Sequence, residues 1–276
     1  MPSEFNFLSS CFFLCHESLR LGWQVLWDRF GKFNRALNEI EDRLNQARES
    51  GNAEEQQLIE QSIQRVASRH LSMKAALTLP ENMELMIEFS VCTATWLTQM
   101  SVQSPSTMPT QVPAEYIPLF PHNAQPPLHL AFIPELLVEN VLEILTCNAR
   151  LPATTGQTTD WQYEWMVELM NLALLFMPSS GRINNPHLRA KLALLMHNLM
   201  PYNRHADTYK ESRHAALFAL LDSHKERLFR EHEYKREFFP TVLDIFVSIE
   251  MAGNTTLRFG EAFHYRRYKT FLLLCF

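Results

Sequence analysis

The sequence predicts an all-α protein, arranged as an irregular α-solenoid in which helical hairpins stack on one another. Apolar residues recur at steps of three and four along most of the chain, which is the spacing of a helix face. Glycine is scarce, with seven in 276 residues, and this favours long helices over a turn-rich β-protein. The hairpins are about 30 to 45 residues long without a fixed period, so an irregular stack is expected.

The first predicted element is a helix over residues 5–50, followed by a second helix that ends near Leu77. Both carry an apolar seam with alternating steps of three and four, typical of paired helices. The seams consist of Phe30, Phe33, Leu37, Ile40, Leu44 and Ala47, and of Ile59, Ile63, Val66, His70, Met73 and Leu77. Ser50-Gly51-Asn52 separates them as a turn, which predicts an antiparallel hairpin. His70 is interpreted as a packed or partly exposed seam residue, not as a ligand.

Pro80 begins the next predicted helix, which runs to about Met100 and carries Met83, Met86, Ile87 and Trp96 on apolar positions. Residues 101–128 then hold seven prolines. Proline lacks the backbone donor and disfavours helical geometry in its predecessor. We therefore predict three regions: N-terminal hairpins over 1–100, a proline-rich linker over 101–131, and a second helical part over 132–276.

The second helical part is predicted to contain further helices. One follows Ile133-Pro134-Glu135, and a polar loop spans Pro152–Asp160. Trp161–Met177 is apolar almost all round, which indicates a central, buried helix. Asn185 as N-cap and Pro186 in the first turn begin the next helix, with Leu188, Leu192, Leu195 and Leu199 on its buried face. Residues 204–237 read as a solvated, broken helical segment. Pro240 begins another helix with Val242, Ile245, Phe246 and Ile249 on one face, and Phe259, Phe263, Phe271 and Leu274 mark the last one.

Composition excludes several classes of function. Charged residues of mixed sign make up 20% of the chain and the net charge is −5, which gives no electrostatic reason to expect nucleic acid as a partner. The first apolar stretch is preceded by Glu4 and by no basic residue. A signal peptide is therefore not expected. An apolar run long enough for a membrane span is not present in the sequence. The five cysteines form no disulfide pattern and favour a reducing compartment.

A search for catalytic, cofactor-binding and metal-binding residues finds none. Cys11, Cys15 and His16 are close together, but zinc requires a second ligand pair. His205, His214, His224 and His232 keep no ligand spacing, and we expect them on a polar surface. Neither a nucleophile elbow nor a glycine-rich phosphate loop is present. The sequence therefore predicts a soluble interaction scaffold.

Glu250 is the one carboxylate that the sequence singles out. It lies near a predicted helix C-terminus, where negative charge is mildly unfavourable. Arg266 and Arg267 follow sixteen and seventeen residues later. An ion pair across a helical hairpin is the expected arrangement.

Five segments resemble, in order, the core domain of the ubiquitin conjugation factor E4 family. NNPHLRAKLALLMHNLMP (184–201) is similar to the family signature Asn-Pro-x-Leu-x-Ala-Lys-Leu. The other four are FNFLSSCFFLCHESLRLG (5–22), CTATWLTQM (92–100), FIPELLVENVLEIL (132–145) and LDIFVSIEMAGNTTLRFGEAFHYRRY (243–268). His-Leu-Arg-Ala-Lys-Leu and Tyr-Arg-Arg favour the E4 A branch. The motif positions, with structural or partner-binding roles, are Asn185, Pro186, Leu188, Arg189, Lys191, Glu250, Gly253, Phe263, Arg266 and Arg267.

The resemblance implies an elongated, armadillo-like core that extends ubiquitin chains on substrates and carries a C-terminal U-box for the conjugating enzyme. It also implies ubiquitylated substrates, an AAA segregase and proteasome-associated factors as partners, in the cytoplasm and also the nucleus. This chain ends at Phe276, ahead of where the U-box is expected, so we expect it to be inactive alone and not to bind the conjugating enzyme. The alternatives are a non-catalytic adaptor in the ubiquitin pathway and a solenoid with unrelated partners, such as a trafficking scaffold.

Overall fold

The computed structural model describes residues 6–51, 53–102, 126–155, 163–178, 181–201, 215–245 and 247. Its helices are α1 Phe7–Ser18, α2 Val25–Ser50, α3 Ala53–Leu77, α4 Pro80–Val102, α5 Leu136–Thr155, α6 Tyr163–Phe176, α7 Pro186–Leu199, α8 Ala215–Glu231 and α9 238–245. A π-helical turn, Leu19–Gln24, joins α1 to α2, and 3-10 turns lie at Leu128–Phe132 and Lys235–Glu237. None of these described residues lies in a strand, which confirms the all-α prediction. The solenoid arrangement stays a prediction.

The chain divides into two compact units, Met1–Leu85 and Met86–Phe276. Most of the predicted proline-rich linker, residues 103–125, lies outside the described residues. The predicted regions 1–100, 101–131 and 132–276 therefore stay a prediction. Across the described part of the chain, no helix is both long enough and apolar enough to span a membrane.

The first unit contains the predicted antiparallel hairpin, formed by α2 and α3. Gly51 ends α2 with a φ of 71°, a left-handed conformation that glycine adopts without the steric cost of a Cβ atom. Near this turn, Nε2 of Gln56 donates to the carbonyl oxygen of Ala47 over 3.0 Å. Farther along, Nε2 of His70 lies 2.5 Å from Oδ1 of Asn34.

An aromatic column runs along the same hairpin. The rings of Trp23, Trp27 and Phe30 stack in order, with centroids 6.3 Å and 5.8 Å apart. The ring of His70 from α3 stacks on Phe30 at 4.7 Å. His70 is thus a packed seam residue, as predicted, and its contacts explain why an imidazole is accommodated there.

The second unit is centred on α6, whose residues from Leu169 to Phe176 are all buried. Helices α5 and α7 pack together, and α6 packs against both α7 and α8. The part of α4 in this unit contributes buried residues such as Ile87 and Leu97. It is tied to α6 by the hydroxyl of Thr95, which lies 3.1 Å from Oε2 of Glu168. The predicted central helix is therefore confirmed.

Two sequence predictions in this unit were wrong. Helix α5 continues to Thr155 through Pro152, where a loop was expected. Residues 223–237 of the segment expected to be solvated are mostly exposed or half-buried, but His232, which was expected on a polar surface, is buried. A packed helix with only a few inward positions shows too little apolar periodicity to be recognised when charged residues surround them.

Candidate functional site

The signature segment 184–201 forms α7 together with its N-cap. Oδ1 of Asn185 accepts a hydrogen bond from the backbone nitrogen of His187 over 3.0 Å, and Pro186 occupies the first helical position. Both features match the prediction, because an asparagine cap satisfies an orphan donor and proline has none to lose. Nδ2 of Asn185 also donates to Oε2 of Glu135 over 3.3 Å.

Lys191 lies one and a half turns further along α7 and is held between two carboxylates of α5. Its Nζ lies 2.6 Å from Oε1 of Glu143 and 3.3 Å from Oε1 of Glu139. Burial is the largest single influence on the pKa of Lys191 and lowers it. Hydrogen bonds and the charges of Glu143 and Glu139 together outweigh burial, so the pKa is raised overall. Lys191 is therefore firmly charged.

These carboxylates follow one another at four-residue spacing. Glu135, Glu139 and Glu143 lie along one side of the start of α5, because residues four apart on a helix share a face. Asn185 and Lys191 are spaced so that they reach the first and the last members of this row. The signature segment and the 132–145 segment are thus two halves of one polar contact between helices.

Arg189 extends from α7 toward the end of α6. Its Nε donates to the carbonyl oxygen of Met177 over 3.0 Å. A guanidinium at a helix C-terminus satisfies an orphan carbonyl and opposes the negative end of the dipole. Burial lowers the pKa of Arg189, and the charge of Asp244 on α9 partly offsets that effect.

The apolar positions of α7 face the interior. Leu188 and Ala190 are buried, as are the predicted stripe residues Leu192, Leu195 and Leu199. Leu192 is fully inaccessible to solvent. The segment therefore carries an apolar stripe flanked by polar side chains that reach α5 and α6.

Sequence reasoning missed Arg182, which precedes α7 in the loop after α6. Its side chain is buried, and one Nη2–H donates to the carbonyl oxygen of Ser101 over 3.4 Å. Within the described part of the chain, Nε and Nη1 have no hydrogen-bond partner. Burial lowers the pKa of Arg182. An arginine in a polar loop sequence reads as solvent-exposed, so no sequence signal pointed to it.

The remaining motif positions are Glu250, Gly253, Phe263, Arg266 and Arg267, and all lie outside the described residues. The ion pair expected between Glu250 and Arg266 or Arg267 stays a prediction. Among the described residues, no group of three histidine, cysteine, aspartate or glutamate side chains could hold a metal ion. Within the described residues, the side chains of Asn185, Arg189 and Lys191 hold neighbouring helices together.

Comparison of the sequence with known proteins finds relatives that match almost the whole chain. The family model described as "Ubiquitin elongating factor core" matches residues 2–275. Relatives described as "Ubiquitin conjugation factor E4 A" from Pongo abelii and Mus musculus are each 27% identical over 266 residues, covering 96% of this chain. A "Probable ubiquitin conjugation factor E4" from Arabidopsis thaliana is 22% identical over 275 residues. The matched region is 23%, 24% and 23% of these relatives, respectively. No solved structure matches the chain significantly.

Proposed function

The chain belongs to the ubiquitin elongating factor core family, and on that premise we propose that it is a helical scaffold for ubiquitin-chain elongation in ubiquitin-dependent protein degradation. The match of the family model to residues 2–275 is the observation that carries this proposal. The chain spans about a quarter of the length of the curated relatives that it matches. We propose binding and positioning, without transfer chemistry, as the part that this chain plays.

The contacts of α7 support a scaffold role. Lys191 ties α7 to α5, and Arg189 ties α7 to the end of α6. Buried, hydrogen-bonded polar contacts of this kind fix one packing arrangement between helices. A surface that positions a large partner depends on such a fixed arrangement, because a 1 Å displacement weakens a pre-organised site.

The proposed partners are ubiquitylated substrates, an AAA segregase and proteasome-associated factors, in the cytoplasm and the nucleus. A conjugating enzyme is not proposed as a partner of this polypeptide. The support for these partners is family membership, since the relatives are described as ubiquitin conjugation factors.

Two assays test the proposal. In the first, the chain is immobilised and offered a model substrate carrying a few ubiquitins, with the unmodified substrate as control. Preferential retention of the ubiquitylated form is expected. In the second, activating enzyme, conjugating enzyme and ubiquitin are added, and the ubiquitin chains should not lengthen above the level seen without the polypeptide. Equal retention of both substrates would contradict the scaffold function, and robust chain growth would contradict the absence of transfer chemistry.

A second candidate function is a non-catalytic adaptor that competes with an intact relative. Its support is the match to about a quarter of the relatives' length, because a chain that shares one region of a relative competes for the partners of that region. Adding the chain to an elongation reaction run by an E4 A relative separates the two functions. Dose-dependent inhibition supports the adaptor, whereas unchanged or faster elongation supports the scaffold.

A further inference from the structure

Arg182 brings a positive charge into the interior of the second unit. The residue lies in the loop between α6 and α7 and is only 8% exposed. Its Nη2 donates to the carbonyl oxygen of Ser101 over 3.4 Å, which is a long hydrogen bond to a neutral acceptor. Among the described residues, Nε and Nη1 have no acceptor. Native proteins rarely leave buried donors without acceptors, so these two nitrogens point to a ligand.

The two cations of α7 differ from Arg182 because each has carboxylates nearby. Lys191 lies between two carboxylates of α5. The charge of Asp244 raises the pKa of Arg189 and partly offsets the effect of burial. Burial lowers the pKa of Arg182, and no carboxylate in the described segments of the chain acts on it in the opposite direction. Arg182 therefore carries a charge that these segments leave unbalanced.

Neither loss of a proton nor a buried water balances this charge. Arginine keeps its proton inside proteins, so burial does not neutralise the guanidinium. A buried water accepts hydrogen bonds from Nε and Nη1 but brings no charge. A charge in a protein interior is costly unless an opposite charge and hydrogen bonds accompany it. An anion supplies both.

The guanidinium belongs to a junction of three segments. Ser101 lies in the last turn of α4, and Pro126 precedes the 3-10 turn Leu128–Phe132. Gly181 has a left-handed φ of 76°, and a Cβ atom at this position would lie 3.7 Å from the ring of Pro126. Gly181 is exposed, whereas Arg182 is buried. The chain thus turns inward at Arg182, directly below the surface.

We propose that Arg182 is the centre of a binding site for a small, singly charged oxyanion, a carboxylate or dihydrogen phosphate. Oxyanions fit these donors better than chloride, because their several oxygen atoms accept hydrogen bonds in different directions, and a guanidinium matches carboxylate and phosphate groups in geometry. One negative charge balances the one positive charge. The small exposed fraction of Arg182 limits the ligand to a few atoms.

Thermal unfolding of the full 276-residue chain tests this site. Sodium acetate or sodium phosphate replaces sodium chloride at constant ionic strength and mildly acidic pH, where phosphate carries close to one charge. The Tm of the wild type should rise by about 3 °C when the oxyanion reaches about ten times its Kd. Arg182→Met should show none of this rise. The matched control is Arg29→Met on an exposed position of α2, which should keep all of it.

Saturation-transfer difference NMR with acetate as the probe measures binding directly. The methyl protons of acetate should receive saturation from the wild type, and added phosphate should displace them. Arg182→Met should abolish the transfer. Arg182→Lys keeps the charge but loses the planar set of donors, so its Kd for acetate should be about tenfold weaker. Unchanged far-ultraviolet circular dichroism shows that each variant folds.

The relative affinities identify the source of the ligand. Tighter binding of acetate supports a small carboxylate, and tighter binding of phosphate supports inorganic phosphate. Both results agree with the proposal, and neither involves ubiquitin, so the outcome is independent of the proposed function.

Three results would overturn the proposal. An equal rise in Tm for the wild type and Arg182→Met would be a general effect of the salts. A higher Tm in chloride than in either oxyanion would make the site a halide site. Transfer to acetate that survives Arg182→Met would place the binding elsewhere on the chain.

Discussion

Lys191 and Glu143 form the shortest ion pair of the signature segment, with Nζ 2.6 Å from Oε1 and each side chain 18% exposed. The pair joins the middle of α7 to α5, and it lies between the buried core and solvent. The pKa of Lys191 is raised above its ordinary 10.5 even though burial acts to lower it. Its contribution to stability is therefore fully present below pH 10.5 and is lost as the pH rises through the folded-state pKa.

Replacing Lys191 by methionine should lower the free energy of unfolding by about 2–3 kcal/mol, because Glu143 and Glu139 are left without their cation at a mostly buried site. Urea unfolding followed by circular dichroism measures this change. The exposed Lys32 offers the matched control, since Lys32→Met should change stability by less than about 0.5 kcal/mol.

The double variant Lys191→Met with Glu143→Leu extends this test. The double variant should recover much of the free energy of unfolding that Lys191→Met loses, because the carboxylate of Glu143 is then no longer left without its cation. If the double variant were as unstable as the sum of the single variants, the pair would not be coupled.

Replacing Leu192 by alanine tests the apolar stripe of α7. Because Leu192 is fully buried, the cavity and the lost transfer free energy should together cost about 2–5 kcal/mol. Leu58→Ala on α3 is the control, since Leu58 is 69% exposed, and its cost should stay below about 1 kcal/mol. A cost near zero at Leu192 would mean that this stripe does not pack as described.

Much of this architecture could be predicted from local sequence rules. The cap at Asn185, the proline at 186 and the left-handed Gly51 depend on one or two residues each, so the sequence carries the whole signal. The antiparallel hairpin of α2 and α3 followed from two seams and a short turn.

What could not be predicted depends on contacts between distant segments. Lys191 meets Glu143 across 48 residues, and Arg182 meets Ser101 across 81. Each of these residues looks solvent-exposed within its own segment. These side chains are removed from water only because α4, α5 and α7 pack in the folded chain. The apolar pattern of one helix does not specify which other helix packs against it. The role of the motif positions as structural or partner-binding residues stays a prediction.

Arg182 provides a prediction in which a substitution raises the free energy of unfolding. Its guanidinium is buried, and Nε and Nη1 lack hydrogen-bond partners within the described part of the chain. Methionine keeps much of the side-chain length without the cost of an unsatisfied charge. Arg182→Met should therefore stabilise the protein by about 1 kcal/mol, measured by urea unfolding. A destabilisation of similar size would contradict this prediction, since the hydrogen bond to Ser101 would then outweigh the cost of burying the charge.

His16 should make the protein sensitive to mild acid. The imidazole is buried against the ring of Phe12, with centroids 4.8 Å apart, and burial lowers its pKa from 6.5 to about 4. Between these values the unfolded chain takes up a proton that the folded chain refuses, so stability falls as the pH drops from 6.5 to 4. The contribution of His16 to that fall is about 3 kcal/mol, and it is absent above pH 6.5.

Replacing His16 by leucine isolates this contribution. The free energy of unfolding of the variant at pH 7.5 measures the change in packing, and the difference between pH 7.5 and pH 4.5 measures the titration. The wild type should lose about 2–3 kcal/mol more than the variant over this interval, because leucine takes up no proton in either state. His232 is also buried with a lowered pKa, so the variant should retain part of the acid sensitivity. Identical losses in the two proteins would place the folded-state pKa of His16 near its unfolded value, and would contradict the buried position of its ring.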